Sequence, residues 1–511
     1  MSSKFFSRAL VCLAMGAVLS ACSFAPDYEQ PKMDIPEAWT KLTPAAQPLN
    51  TDWWKRFNDP VLNAMVDEAL KHNQDLAASM AGIRAAAAEA NIGSSSLWPT
   101  INATGNADAK GASEKSANTS FGPGMSKWYT AYQGQIAASW EIDFWGATRN
   151  HYTRLTNIML QTALKHEALR LSTAGQVCQS YFAMLSYDMQ LGIAKRTLAT
   201  REEALRIYTS RYKLGELTEL DWQRAKAEVE TARATVHQDT MALDNCEASL
   251  QVLLGRSPRE IWKSPERGTT LDKLPNVPVI PEGLPSELLL RRPDIRAAEF
   301  GIMASNAGIG EARAKFFPSF SITGALGTLA AGFGNLFTPA AGTWGYGASV
   351  GLPIFSGGSI WYNLKNAEAL KEQAIATYKS TVMSAFSDVR TTLTAQKESD
   401  NVAVAMQAQV DSLRKAASLA RMQYDNGYTD YLTVLDAERQ LFAGELSLAT
   451  ALQNRLNNIV SVCMALGGGW EDPKVKPSFP IVDADKVVEA QRKGTVGVRA
   501  EKAAEAASKA K

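Results

Sequence analysis

The chain repeats itself at a spacing of 212 residues, and this constrains its fold more than any single motif. Tyr212-Lys213-Leu214-Gly215 is answered by Tyr424-Asp425-Asn426-Gly427, so Tyr212 falls on Tyr424 and Gly215 on Gly427. The same offset carries Leu220 onto Leu432, Ala225 onto Ala437 and Leu254-Gly255 onto Leu466-Gly467. Upstream, Leu97-Trp98-Pro99-Thr100-Ile101 is matched by Phe316-Phe317-Pro318-Ser319-Phe320 at a spacing of 219, so a seven-residue length difference lies between. A duplication this long requires two copies of one structural unit, here 61–255 and 291–467.

Each copy contains a strand-like alternation. Within 130–144 the even positions hold Tyr132, Ile136, Trp140, Ile142 and Phe144, while the odd positions hold Gln133, Gln135, Ser139, Glu141 and Asp143. The second copy repeats this, with Trp344, Tyr346, Val350, Leu352 and Ile354 facing away from Thr343 and Ser349. A period of two puts these sets on opposite faces of a strand. Residues 100–108 and 319–328 read as the partner strands, which gives hairpins near 98–144 and 318–355 joined by polar or Gly-rich loops. A soluble sandwich would show the same alternation, but four strands cannot complete its core. Aromatic residues gather at the strand ends (Trp98, Trp128, Tyr129, Trp145, Phe317, Trp344, Trp361), as in the girdles of membrane barrels. Four strands cannot close a barrel, and a bilayer does not tolerate open edges. Several chains must therefore pool their strands; three copies would supply twelve, an even number as in bacterial barrels.

The rest of each unit is helical. Residues 149–212 and 361–424 contain no proline and little glycine, and they carry heptad-like apolar spacing such as Leu185, Met189, Gly192 and Ala199. Each run would extend roughly 90–100 Å, a length that implies coiled-coil packing. Turns are expected at Gly215 and Gly427, with return helices over 218–254 and 431–466. The shorter returns leave the upper part of each long helix open, to be filled by Ala-rich helices over 61–91 and 292–315. Segments 22–60, 256–290 and the stretch after Gly467 read as a mixed equatorial belt, so that 468–511 holds the end of the belt and, from about Arg492, a disordered Lys/Ala/Glu tail.

The first 21 residues read as a signal peptide. Lys4 and Arg8 supply the positive region, an apolar stretch follows, and Leu19-Ser20-Ala21-Cys22 is a lipoprotein cleavage site. The mature protein is expected to start at an acylated Cys22, the covalent lipid being its only cofactor. Ser rather than Asp at position 23 favours the outer membrane over the inner one. One acyl chain anchors only marginally, so a second device is needed. The balance of 53 basic and 52 acidic residues gives no case for nucleic acid. Three widely spaced cysteines (Cys178, Cys246, Cys463) form neither a disulfide framework nor a zinc pattern; one bridge remains open.

Catalytic signatures do not assemble. Gly347-Ala348-Ser349-Val350-Gly351 matches a nucleophile elbow, but it sits inside a strand and all four histidines precede it. The sequence holds no Walker lysine motif, no His-Glu-x-x-His and no Cys-x-x-Cys. The chain reads as a passive device, not an enzyme, with no metal site.

Several segments together resemble the TolC-like outer-membrane factors, specifically the lipoprotein branch paired with resistance-nodulation-division efflux pumps. They are Trp140-Glu141-Ile142-Asp143-Phe144-Trp145-Gly146, Arg291-Arg292-Pro293-Asp294-Ile295-Arg296, Phe316-Phe317-Pro318-Ser319-Phe320, Leu352-Pro353-Ile354-Phe355-Ser356-Gly357-Gly358 and the two Tyr-x-x-Gly turns. The resemblance implies a mixed α/β membrane protein: a homotrimer with a twelve-stranded barrel in outer-membrane lipid and a long helical tunnel through the periplasm of a Gram-negative bacterium. It implies two partners, a periplasmic adaptor (membrane fusion) protein and an inner-membrane resistance-nodulation-division transporter. It also implies a gate at Asp221, Leu432, Thr433, Asp436 and Arg439, and adaptor contact at the tips around Tyr212, Gly215, Tyr424 and Gly427.

Local readings compete with these roles. Thr218-x-x-Asp221 resembles a capping box, and an acid in a first helical turn is favoured by the dipole. Asp436 lies deeper, where its local alternative is an i,i+3 pair with Arg439. The tip glycines and tyrosines serve turn chemistry in any case. Drug or small-molecule efflux is the leading expectation; a type I protein-secretion duct and a non-conducting spacer lipoprotein are the alternatives.

Overall fold

A computed structural model of the protein describes residues 23–35, 52–111, 128–274 and 292–468. Cys22 with the 1–21 leader, most of the 110–127 loop, residues 275–291 and the tail lie outside the described residues. The helices are α1 (Pro60–His72), α2 (Gln74–Ser95), α3 (Ala147–Lys213), α4 (Glu219–Leu253), α5 (Pro293–Ala314), α6 (Ser359–Asp425) and α7 (Tyr431–Ala465). The strands are β1 (Thr100–Gly111), β2 (Trp128–Ile142), β3 (Ser319–Ala330) and β4 (Gly342–Gly351).

The four strands form one antiparallel sheet in the order β1-β2-β3-β4, so the two hairpins join into a single layer. Its register aligns the alternation from strand to strand. Ile136 pairs with Leu326, which pairs with Trp344; Trp140 pairs with Ile322; Ile142 pairs with Phe320, which pairs with Val350. The opposite face carries rows such as Thr100-Ser139-Thr323 and Thr104-Gln135-Gly327-Thr343. One face is therefore mainly apolar and the other mainly polar, with Leu329 the large apolar side chain on the polar side. Ser349, the serine of the elbow-like motif, lies on the polar face with its hydroxyl 2.7 Å from that of Ser321. β2 ends at Ile142, short of the expected Phe144, because Asp143 turns to accept from the amides of Thr148 and Arg149 at 3.1 and 2.8 Å, at the start of α3.

α3 and α6 are each 67 residues long, roughly 100 Å at the helical rise. Each follows a glycine of positive φ, Gly146 and Gly358, again 212 apart. On α6, Val382, Val389, Gln396, Ala403, Val410 and Ala417 are buried at intervals of seven, the repeat of a left-handed coiled coil. α4 returns along α3 and α7 along α6, while α5 packs between the upper parts of α3 and α6 and α2 lies along α3. The heptad register of α3 differs from the one expected. Ala199 is exposed, and Ala194, Arg201 and Tyr208 occupy the inner positions.

The single helix expected over 61–91 is broken at Asn73. Asn73 leaves the helix (φ −60°, ψ 129°), its side chain caps α2 by accepting from Asp75 and Leu76, and its amide group donates to the carbonyl of Leu253. A side chain that caps one helix and ties down the end of another outcompetes helical continuity. Around α1, the largest core cluster joins Trp53, Phe57, Tyr181, Phe182, Leu250 and Val460. Buried Asp59 accepts from Val61 and Leu62 at the start of α1 and from the Tyr181 hydroxyl at 2.6 Å. The belt is clipped on by Arg256 paired with Glu68 and by Arg267 paired with Asp188 and Glu247. Cys178 and Cys463 are buried in this core as free thiols; burial pushes the Cys463 thiol up to about 12.

Candidate gate at the hairpin tips

Both tips are built by one backbone device. At the first, the Gly215 amide donates to Tyr212 and that of Glu216 to Arg211; at the second, Gly427 donates to Tyr424 and Tyr428 to Gln423. This is the Schellman closure, and it requires the left-handed backbone that Gly215 (φ 73°) and Gly427 (φ 78°) supply. Tyr212 lies beneath its tip, stacked on Trp222 at 5.3 Å, while Tyr424 packs 5.9 Å from Tyr431. The large apolar side chains exposed at the apices are Leu214 and Tyr428.

The return helices are capped by the same pair of residue types in exchanged order. Thr218 caps α4, accepting from the Asp221 amide while its hydroxyl donates to the Asp221 carboxylate at 2.7 Å. At the equivalent positions, Asp430 caps α7, accepting from both the amide and the hydroxyl of Thr433. The acid that the first copy carries in the helix is thus the cap itself in the second. These hydrogen bonds hold the Asp430 carboxyl below the usual range. Arg224 pairs with Asp221 at 3.4 Å.

Leu432, Thr433 and Asp436 line one open groove between α6 and α7, together with Asp430, Gln423 and Gln440. The i,i+3 pair between Asp436 and Arg439, the local alternative to a gate role, does not form. Asp436 accepts from Gln440 at 2.6 Å, and Arg439 turns away to Glu228 on α4 at 3.6 Å. A more buried carboxylate on another helix is the stronger partner, because a pair shielded from water is weakened less than an exposed one.

Beneath the tips lies a charged layer that sequence reasoning missed. Arg201 is only 6% exposed, donates to the carboxylate and the carbonyl of Glu228 at 2.9 and 3.0 Å, and sits 5.3 Å over the Phe442 ring. Glu228 therefore joins α3, α4 and α7. Glu438 faces Arg421 at 3.6 Å, and burial raises its carboxyl against the pull of Arg421 and Arg201. Buried Tyr208, 4.6 Å from Tyr431, closes the layer, and burial pushes its phenol up to about 12. The available sequence signal was spacing: Arg201 stands seven residues from both Ala194 and Tyr208, in a core position. These contacts tie the first copy's hairpin to the second's through side chains.

No described helix is long and apolar enough to cross a membrane, and the described residues contain no group of three metal-ligating side chains. A family model described as outer membrane efflux protein matches residues 65–256 and 284–468, one span for each copy of the repeat. Outer membrane protein OprJ of Pseudomonas aeruginosa is 34% identical over 475 residues, covering 90% of this chain and 95% of that one. Cation efflux system protein CusC of Escherichia coli is 31% identical, covering 90% and 98%. Among solved structures, the Campylobacter jejuni CmeC outer membrane channel superposes with a TM-score of 0.83 at 26% identity, covering 93% of this chain and 99% of that one. The open state of the Neisseria gonorrhoeae MtrE outer membrane channel gives 0.75 at 30% identity, covering 87% and 98%. The duplicated sheet-and-hairpin architecture and these matches agree: the chain belongs to the outer membrane efflux protein family.

Proposed function

We propose that three copies of this chain form a passive outer-membrane conduit, the exit channel of a tripartite pump that exports small molecules. The sheet carries this reading. It segregates an apolar from a polar face over four strands, yet among the described residues it leaves one edge of β1 and one of β4 unpaired. Three such sheets give twelve strands, an apolar outside for lipid and a polar lumen. The helical hairpins continue the lumen through the periplasm, and their tips meet a periplasmic adaptor and, through it, an inner-membrane resistance-nodulation-division transporter. Relatives named for antibiotic, toluene and cation efflux support small solutes over secreted proteins.

The N-terminal segment supports a lipid anchor on Cys22. Phe24 stacks on Phe317 at 4.6 Å beside Trp145, and Ser23 bonds Asn150, so the residue next to Cys22 lies at the base of the sheet. Acyl chains attached there would reach the membrane. In the trimer, Asp436 and its neighbours in the groove would face the axis, where three like charges repel or hold a cation. The charged layer around Glu228 would then hold the tips closed.

Purified protein in planar bilayers should give discrete conductance steps, and deletion of the gene should raise drug susceptibility. Absence of conductance would favour a spacer. Loss of a secreted protein with drug susceptibility unchanged would favour a secretion duct.

A further inference from the structure

We infer that the loop joining β3 to β4, residues 331–341, seats in the outer-leaflet lipid against the outside of the barrel and does not cover its mouth. The inference rests on the barrel reading above. The loop is an ordered unit with two short 3-10 turns, Phe333–Asn335 and Pro339–Ala341, and the Thr130 hydroxyl on β2 donates to the Ala331 carbonyl at 2.6 Å.

Its direction is set by one ring contact. Phe333 meets Tyr132 edge-on at 5.7 Å, and Phe337 meets Phe333 edge-on at 6.0 Å. Tyr132 belongs to the apolar face of the sheet, two steps along β2 from the row that Ile136 shares with Leu326 and Trp344. A lid would instead lean on the polar face, where Gln133 pairs with Leu329. The two phenylalanines are 62% and 79% exposed, so the sheet does not bury them, and residues 330–343 contain no charged side chain. The connection of the first hairpin is different, carrying Glu114, Lys115 and Lys127. Exposed aromatic rings on a charge-free loop, continuous with a lipid-facing surface that ends in stacked Trp344 and Tyr346, fit the boundary between acyl chains and headgroups.

The test uses spin labels on the full-length trimer, introduced singly at Phe337→Cys, Leu326→Cys and Thr343→Cys, in vesicles of phosphatidylethanolamine and phosphatidylglycerol. Accessibility to oxygen is compared with accessibility to a water-soluble nickel chelate; unsubstituted protein gives the background. Leu326 should read as lipid and Thr343 as water, and the label at Phe337 should favour oxygen as Leu326 does. A label at Phe337 that favours the chelate, or reaches neither reagent, overturns the inference while Leu326 still reads as lipid. If Leu326 also favours the chelate, the barrel reading itself fails. As a second readout, Phe333→Ser combined with Phe337→Ser should leave single-channel conductance unchanged; a twofold rise would make the loop a lid and overturn its lipid seat.

Discussion

α3 and α6 have the same length, the same kind of glycine before them and the same glycine closure after them, yet their surroundings differ. α3 buries 22 of its 67 residues and packs on α1, α2, α4, α5 and α7. α6 buries nine and packs chiefly on α5 and α7. Trp361, Tyr362, Met383, Val402, Val404 and Leu419 remain exposed along it. Duplication copied the backbone devices but not the environment. The first copy became the centre of the subunit, and the second became its edge, free to meet other subunits or to move.

The contrast is broken most severely at the centre. Phe182 on α3 is fully buried, so Phe182→Ala should cost about 3–5 kcal/mol in denaturant unfolding. Val402→Ala on the exposed side of α6 should cost within about 0.5 kcal/mol in a dispersed monomer. Equal losses would mean that the two helices are equivalent after all. Next in size, Asp59→Ala removes a cap and leaves the Tyr181 hydroxyl without its acceptor, a loss of about 2–3 kcal/mol. The second copy has Leu393 at the position equivalent to Tyr181 and therefore no such clasp.

Smaller effects sharpen the comparison at the tips. Thr218→Ala should cost about 1 kcal/mol by loss of the α4 cap, measured as a lowered melting temperature. In a double-mutant cycle, Asp436→Ala and Arg439→Ala should be additive within about 0.5 kcal/mol, whereas Arg439→Ala should couple to Glu228→Ala. A reversed pattern would restore the local pair. The weakest effect is a pH dependence. Burial raises the folded pKa of Glu438, so between the ordinary Glu value of about 4.3 and that raised value the folded chain keeps a proton that the unfolded chain has released. Stability therefore falls as pH rises through this window, and Glu438→Gln should flatten the slope.

The strands and tips were legible because their signals are local: a period of two, and a glycine where φ must be positive. Asn73 was overlooked because helix-forming sequence continues on both sides of it, although Asn before Gln-Asp is itself a start signal. Arg201, Glu228 and Glu438 were missed for another reason. A charge on a helix ordinarily reads as a solvated face, and only the arrival of other helices decides that it is buried. The Asp436–Arg439 spacing satisfied the local rule but lost to Glu228, a partner 211 positions away from Arg439 that no local rule can see.

The central claim is that three chains pool four strands each into one pore. Native mass spectrometry of the purified full-length protein, released from detergent, tests it most directly. The expected result is a single assembly of three chains. A monomer, or a closed assembly of any other number, would contradict it.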